Sequence, residues 1–119
     1  MLPAILVIED ETTLAKNIRT YLIRYGFDVH IANTGTDGLK EFERFKPDIV
    51  LLDIHLPDID GLEVLEKLRS LDAQAKVIMI TGESNVKVAV AAMKVGAYDY
   101  LSKPIGLKEL KLVVEKAAR

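Results

Sequence analysis

Asp48-Ile49-Val50-Leu51-Leu52-Asp53, continuing through Ile54-His55-Leu56-Pro57 to Asp60-Gly61, is the stretch around which the chain is organised. Four consecutive large apolar residues read as a strand buried on both faces, as central strands of parallel sheets are. Asp53 stands where that strand runs out, at the carboxyl edge where open α/β sheets hold their ligands. Taken alone, the stretch leaves two readings open: Asp53 starts a turn ahead of Pro57, or it does chemistry.

The 119 residues suit one domain with a real core. Sixteen Lys and Arg against 18 Asp and Glu give a net charge of -2, so no basic field argues for nucleic acid or an anionic membrane. The absence of cysteine excludes disulfides, a thiolate nucleophile and a zinc-thiolate cluster. No apolar run approaches the roughly 20 residues of a membrane span, and Met1-Leu2-Pro3-Ala4, with no basic flank or cleavage-like site, does not read as a signal peptide. A soluble cytoplasmic domain is the expectation. The end at Arg119 fits an excised domain or a stand-alone one.

Elsewhere the pattern alternates. Ile5 to Ile8 reads as a strand ending in Glu9-Asp10-Glu11, and a helix follows from about Thr12 to Tyr25, stopped by Gly26. Phe27 to Ala32 is an edge strand on which His30 faces water. Asn33-Thr34-Gly35 makes a turn, and Thr36 can cap a helix buried through Leu39, Phe42 and Phe45. After Asp53, Asp60 and Glu63 resemble a capping box for a helix with Leu62, Leu65 and Leu68 inward. Lys76 to Ile80 is a fourth strand, ending in Thr81-Gly82-Glu83. Ser84 or Asn85 can cap a helix facing the core with Val86, Ala89, Val90 and Met93. Met79 and Met93 read as core filler, and Gly26, Gly61 and Gly96 as backbone needs. Ala97 to Leu101 is the fifth strand, closed by Ser102-Lys103-Pro104. A last helix from about Gly106 buries Leu107, Leu110, Val113 or Val114, and Ala117.

This is an α/β pattern: a five-stranded parallel sheet with five helices on both faces and right-handed crossovers. Two edge-like strands flanking three apolar ones suit the order 2-1-3-4-5, which places the switch point between the first and third strands. Glu9, Asp10 and Asp53 then converge. Clustered carboxylates repel and raise one another's pKa unless a cation intervenes, and hard oxygen ligands favour Mg2+ over zinc. One of them could be a nucleophile toward phosphorus, with Thr81 and Lys103 contacting the phosphate. Each residue has a plainer reading in isolation. Glu9 and Asp10 could start a helix, Thr81 a turn, Lys103 could be solvated, and Tyr100 a half-buried aromatic.

Ile8-Glu9-Asp10-Glu11, Asp48 through Gly61, Ile80-Thr81-Gly82 and Gly96 through Pro104 together resemble the receiver domain of two-component response regulators, over essentially the whole chain. The resemblance implies a flavodoxin-like receiver fold spanning 1–119, with any output domain outside this chain. It implies that Asp53 accepts a phosphoryl group from a sensor histidine kinase. It assigns Mg2+ to Glu9 and Asp10, with Asp10 and the carbonyl of His55 as direct ligands alongside Asp53. It places Thr81 and Lys103 on the phosphoryl oxygens, makes Tyr100 the aromatic switch, and makes Lys103-Pro104 cis. His55 and Glu83 flank the site and tune phosphate loss. Self-catalysed phosphotransfer and dephosphorylation, regulation of an output such as transcription, and homodimerisation through the fourth-helix, fifth-strand, fifth-helix face also follow from it. Direct contact with nucleic acid or membrane does not. Glu9 departs from the family's usual Asp, and its longer side chain can bind metal through water. The stretch Ala91 to Tyr100 is most similar to receivers of the nitrogen-regulation, enhancer-binding type.

Three rivals remain at this point. A flavodoxin-like cofactor carrier would need backbone donors and hydroxyls where Glu9-Asp10-Glu11 stands. An aspartyl phosphatase would need an Asp-any-Asp pattern there. The third is a receiver-like interaction module that is not phosphorylated.

Overall fold

The computed structural model describes residues 3–82 and 86–119. Five strands and five helices alternate: β1 (Ala4–Ile8), α1 (Thr12–Ile23), β2 (Asp28–Ala32), α2 (Gly35–Phe45), β3 (Ile49–Asp53), α3 (Gly61–Leu71), β4 (Lys76–Thr81), α4 (Val86–Val95), β5 (Asp99–Ser102) and α5 (Leu107–Ala117). The strands form one sheet in the order β2-β1-β3-β4-β5, parallel throughout, as the sequence pattern predicts. All five residues of β3 are buried.

Alternation along the central strands divides the core. Ile5, Val7, Ile49, Leu51, Ile78 and Ile80 meet Ala15, Ile18 and Leu22 of α1 and Leu110, Val114 and Ala117 of α5. Leu6, Ile8, Val50, Leu52, Val77 and Met79 meet Phe42, Val64, Leu65, Leu68 and Ala92 on the other side. Leu52 is fully buried in that second layer. Leu52→Ala is expected to cost about 2–5 kcal/mol, read as a lower urea midpoint with unchanged slope.

Several local expectations are corrected. Thr34, not Thr36, caps α2, accepting from Asp37 N at 3.0 Å. Asp60 caps α3 through Leu62 N, but Glu63 pairs with Lys67 at 3.5 Å, so the cap forms without the reciprocal box. Helix α1 ends at Ile23, and Tyr25 is exposed beyond it, before Gly26 turns left-handed at φ 89°. Phe45 is 36% exposed rather than buried and stacks on His30 at 3.8 Å, and His30 also bonds Asp28.

The largest difference is in α4. Of Val86, Ala89, Val90 and Met93 only Ala89 is buried; Val86 is 70% exposed, Val90 46% and Met93 43%. The inward stripe is Ala89 and Ala92 with Val88 and Val95 packed beside them. The segment VKVAVAAMKV is apolar on more than one side, so periodicity cannot choose the face, and small side chains allow α4 its close approach. Ser84, Asn85 and Glu83 lie outside the described residues. No described helix is long and apolar enough to cross a membrane.

Candidate functional site

Strand pairing carries the chemistry-bearing residues to one edge. Ile8 pairs with Leu52, Asp53 with Ile80, and Thr81 with Ser102. Glu9 and Asp10 follow β1, Asp53 closes β3, Thr81 closes β4, and Lys103 follows β5. The backbone continues this edge: Ile54 N donates to Ile80 O at 3.0 Å and Lys103 N to Thr81 O at 2.7 Å. The Lys103-Pro104 bond is cis.

Carboxylate oxygens of Glu9, Asp10 and Asp53 lie within 4.8 Å of one another. Glu9 and Asp53 are buried, and Asp10 is exposed at the mouth. Lys103 is the cation among them. Its ammonium lies 3.1 Å from Glu9 Oε1, 3.1 Å from Glu11 Oε1 and 3.6 Å from Asp53 Oδ2. The Glu9 contact is an ion pair without a well-directed hydrogen bond, which leaves Oε1 a buried acceptor with no hydrogen-bond partner. Its Oε2 accepts from Glu11 N at 3.1 Å, and Asp53 Oδ1 accepts from His55 N at 3.3 Å.

The charge balance is incomplete. Burial, with Asp53 nearby, pushes the Glu9 carboxyl up to about 7 despite its bond from Glu11 N and the ammonium. Burial likewise raises Asp53, against the pull of Lys103. Burial would lower Lys103, but its bond to Glu11, its ion pair with Glu9 and the charge on Asp53 hold it above its ordinary value. Two buried carboxylates sharing one ammonium, with a third carboxylate, Asp10, within 4.8 Å of both and Glu9 Oε1 lacking a hydrogen-bond donor, fit a second, hard cation. The all-oxygen donor set suits magnesium.

Thr81 is buried at the end of β4. Tyr100 is 43% exposed and lies outside this cluster, lining a groove of about 340 Å³ with Val86, Ala89, Val90, Met93 and Lys94. The His55 side chain is exposed. The sequence reading passed over two residues. Glu11 is a partner of Lys103, signalled only as a third acid after β1. Asp58 bonds to the start of α2, and no local pattern marks it.

The profile of the response regulator receiver domain matches residues 5–115. The chain belongs to the response regulator receiver family. This receiver is 39% identical over 113 residues to the regulatory protein AtoC of Escherichia coli, covering 95% of the chain and 24% of that protein. A response regulator receiver domain protein from Clostridium thermocellum superposes with a TM-score of 0.93 at 34% identity, covering 98% of this chain and 94% of that one. NtrX from Brucella abortus superposes with a TM-score of 0.92 at 33% identity, covering 98% of this receiver and 27% of that chain. These relatives accord with the likeness to the nitrogen-regulation type. The receiver spans about a quarter to a half of the curated relatives it matches.

Proposed function

We propose that this receiver is a phosphorylation-dependent signalling switch in which Asp53 is the acceptor and a sensor histidine kinase the donor. The observation that carries this reading is the buried Asp53 carboxylate set among Glu9, Asp10 and Lys103. An Asp53 oxygen attacks the donor's phosphorus. A P–O bond forms, the P–N bond to the phosphohistidine breaks, and the departing imidazole nitrogen takes up a proton. In dephosphorylation water attacks the phosphorus, a new P–O bond forms as the aspartyl O–P bond breaks, and inorganic phosphate leaves carrying water's protons while the Asp53 carboxylate is restored. Lys103 and the Thr81 hydroxyl hold the phosphoryl oxygens in this scheme, stabilising charge as it develops. Glu9, Asp10, Asp53 and the His55 carbonyl hold Mg2+, which supplies neutralisation of the incoming oxygens. The receiver thus catalyses its own phosphotransfer and dephosphorylation.

The conformational output is placed at α4 and β5. Thr81, drawn toward the phosphoryl group, opens space into which Tyr100 turns from its exposed place beside α4. The exposed Val86, Val90 and Met93 suit the same face as a homodimer contact through α4, β5 and α5. Residues 1–119 act as the receiver of a regulator whose output domain, controlling transcription, is carried elsewhere. The reading places it in the cytoplasm with its kinase.

Incubation with acetyl phosphate and Mg2+ is expected to add one phosphoryl mass to the chain, and Asp53→Asn to abolish it. An unchanged intact mass, or the same adduct on Asp53→Asn, overturns the reading. In that case the alternative of an interaction module without phosphorylation takes its place.

A further inference from the structure

The β2–α2 turn bonds to both sides of the acidic cleft. On one side Asn33 Nδ2 donates to Glu9 O at 2.9 Å, and Glu9 N donates to Ala32 O at 3.0 Å. On the other, Asp58 reaches across from the β3–α3 loop. Its Oδ1 accepts from Gly35 N at 2.8 Å, and its Oδ2 from Thr36 N at 2.9 Å and Thr36 Oγ1 at 2.6 Å. These donors hold the Asp58 carboxyl far below the usual carboxylate range, so it stays ionised. Helix α2 already has its own cap in Thr34. Thr34 satisfies only Asp37 N, so Asp58 takes the first-turn amides of Gly35 and Thr36 and in doing so ties its own distant loop to the start of α2.

That loop is closed on itself. His55 and Asp60 form an antiparallel bridge, and Gly61 N donates to Ile54 O at 2.9 Å. These bonds tie both ends of residues 55–60, and with the tip anchored at Asp58 they constrain where His55 sits. The two surfaces also touch: a Cβ on Gly35 would stand 3.2 Å from Ile59 Cβ.

We propose that Asn33, Thr36 and Asp58 form a brace that holds the Glu9-Asp10 segment and the His55 carbonyl at the spacing a divalent cation requires, making Asp58 a positioning residue for metal binding. The proposal rests on the metal site assigned under the proposed function. Partners of this kind orient ligands without touching the ion.

Titrating Mg2+ against amide NMR shifts of the whole chain tests it, with thermal melting in parallel. Asp58→Asn and Asn33→Ala are each expected to weaken Mg2+ binding by about tenfold, and Thr36→Val by less. The double variant should lose less than the product of the two, because both cut one brace. Asn33→Ala and Thr36→Val leave the charge unaltered, so they separate positioning from long-range electrostatics and stand in if Asp58→Asn does not fold. Lower melting temperatures with Mg2+ affinity unchanged overturn the brace, as does an effect confined to Asp58→Asn. Absence of Mg2+-dependent shifts in the unaltered chain overturns the metal site itself.

Discussion

Gly61→Ala is expected to destabilise the receiver by about 3 kcal/mol or more, a large effect for one added methyl group. A Cβ at this first residue of α3 would lie 2.5 Å from Ile54 Cα, 2.7 Å from Asp53 O and 2.8 Å from Ile54 O. All three are backbone atoms at the end of a fully buried strand, and none can turn aside. Relief requires α3 to withdraw or the backbone after Asp53 to shift, so acetyl phosphate labelling of Asp53 should fall as well. Gly38 gives the contrast. A Cβ there would meet only side-chain atoms of Ile8, at 2.5 Å from Cδ1, 2.8 Å from Cγ1 and 3.0 Å from Cγ2, and a buried side chain can shift where backbone cannot. Urea unfolding of the two alanine variants should place Gly61→Ala well below Gly38→Ala. Equal midpoints would show that the Asp53–Ile54 backbone yields easily.

Between about pH 4.5 and 7 the metal-free receiver is expected to lose stability as pH rises. Glu9 holds its proton to about 7 in the folded chain against an ordinary value of 4.5, chiefly because it is buried. In that window the folded state binds more protons than the unfolded state, so the contribution is full below the lower value and is lost through the upper one. At 1.36 kcal/mol per unit the span is on the order of 3 kcal/mol. Asp53 is raised in the same direction and adds to the slope. Asp58, which is lowered, acts with the opposite sign below its ordinary value of 3.8 and stays out of this window. Glu9→Gln should flatten the slope and exceed the unaltered protein in stability above pH 7, while Mg2+ should restore stability to the unaltered protein there. Denaturation in EDTA at pH 5, 6, 7 and 8 reads all three; equal stability across that series would remove burial of Glu9 as the cause.

Much of this architecture is written in runs of like residues. Ile5 to Ile8, Ile49 to Leu52 and Val77 to Ile80 are apolar on both faces because both faces are covered, and polar residues, Glu9, Asp53 and Thr81, begin at their carboxyl ends. The strand order and the convergence of Glu9, Asp10 and Asp53 follow from that pattern plus the rules of parallel sheets. Tertiary packing settled what local pattern left degenerate. VKVAVAAMKV offers more than one apolar side, and only the proximity of β4 and α3 selects Ala89 and Ala92 over Val86, Val90 and Met93. Thr34 and Thr36 can both cap a helix; Asp58, 22 residues from Thr36, takes the amides of Gly35 and Thr36 and leaves the cap to Thr34. Lys103 stands far along the chain from Glu11, and its sharing among Glu9, Glu11 and Asp53 depends on distances that exist only once β1, β3, β4 and β5 are aligned in one sheet. Hydrophobic periodicity is a local property of the chain and survives in one dimension. Hydrogen bonds and ion pairs between separate loops have no period, so they become visible only when the sheet brings those loops together.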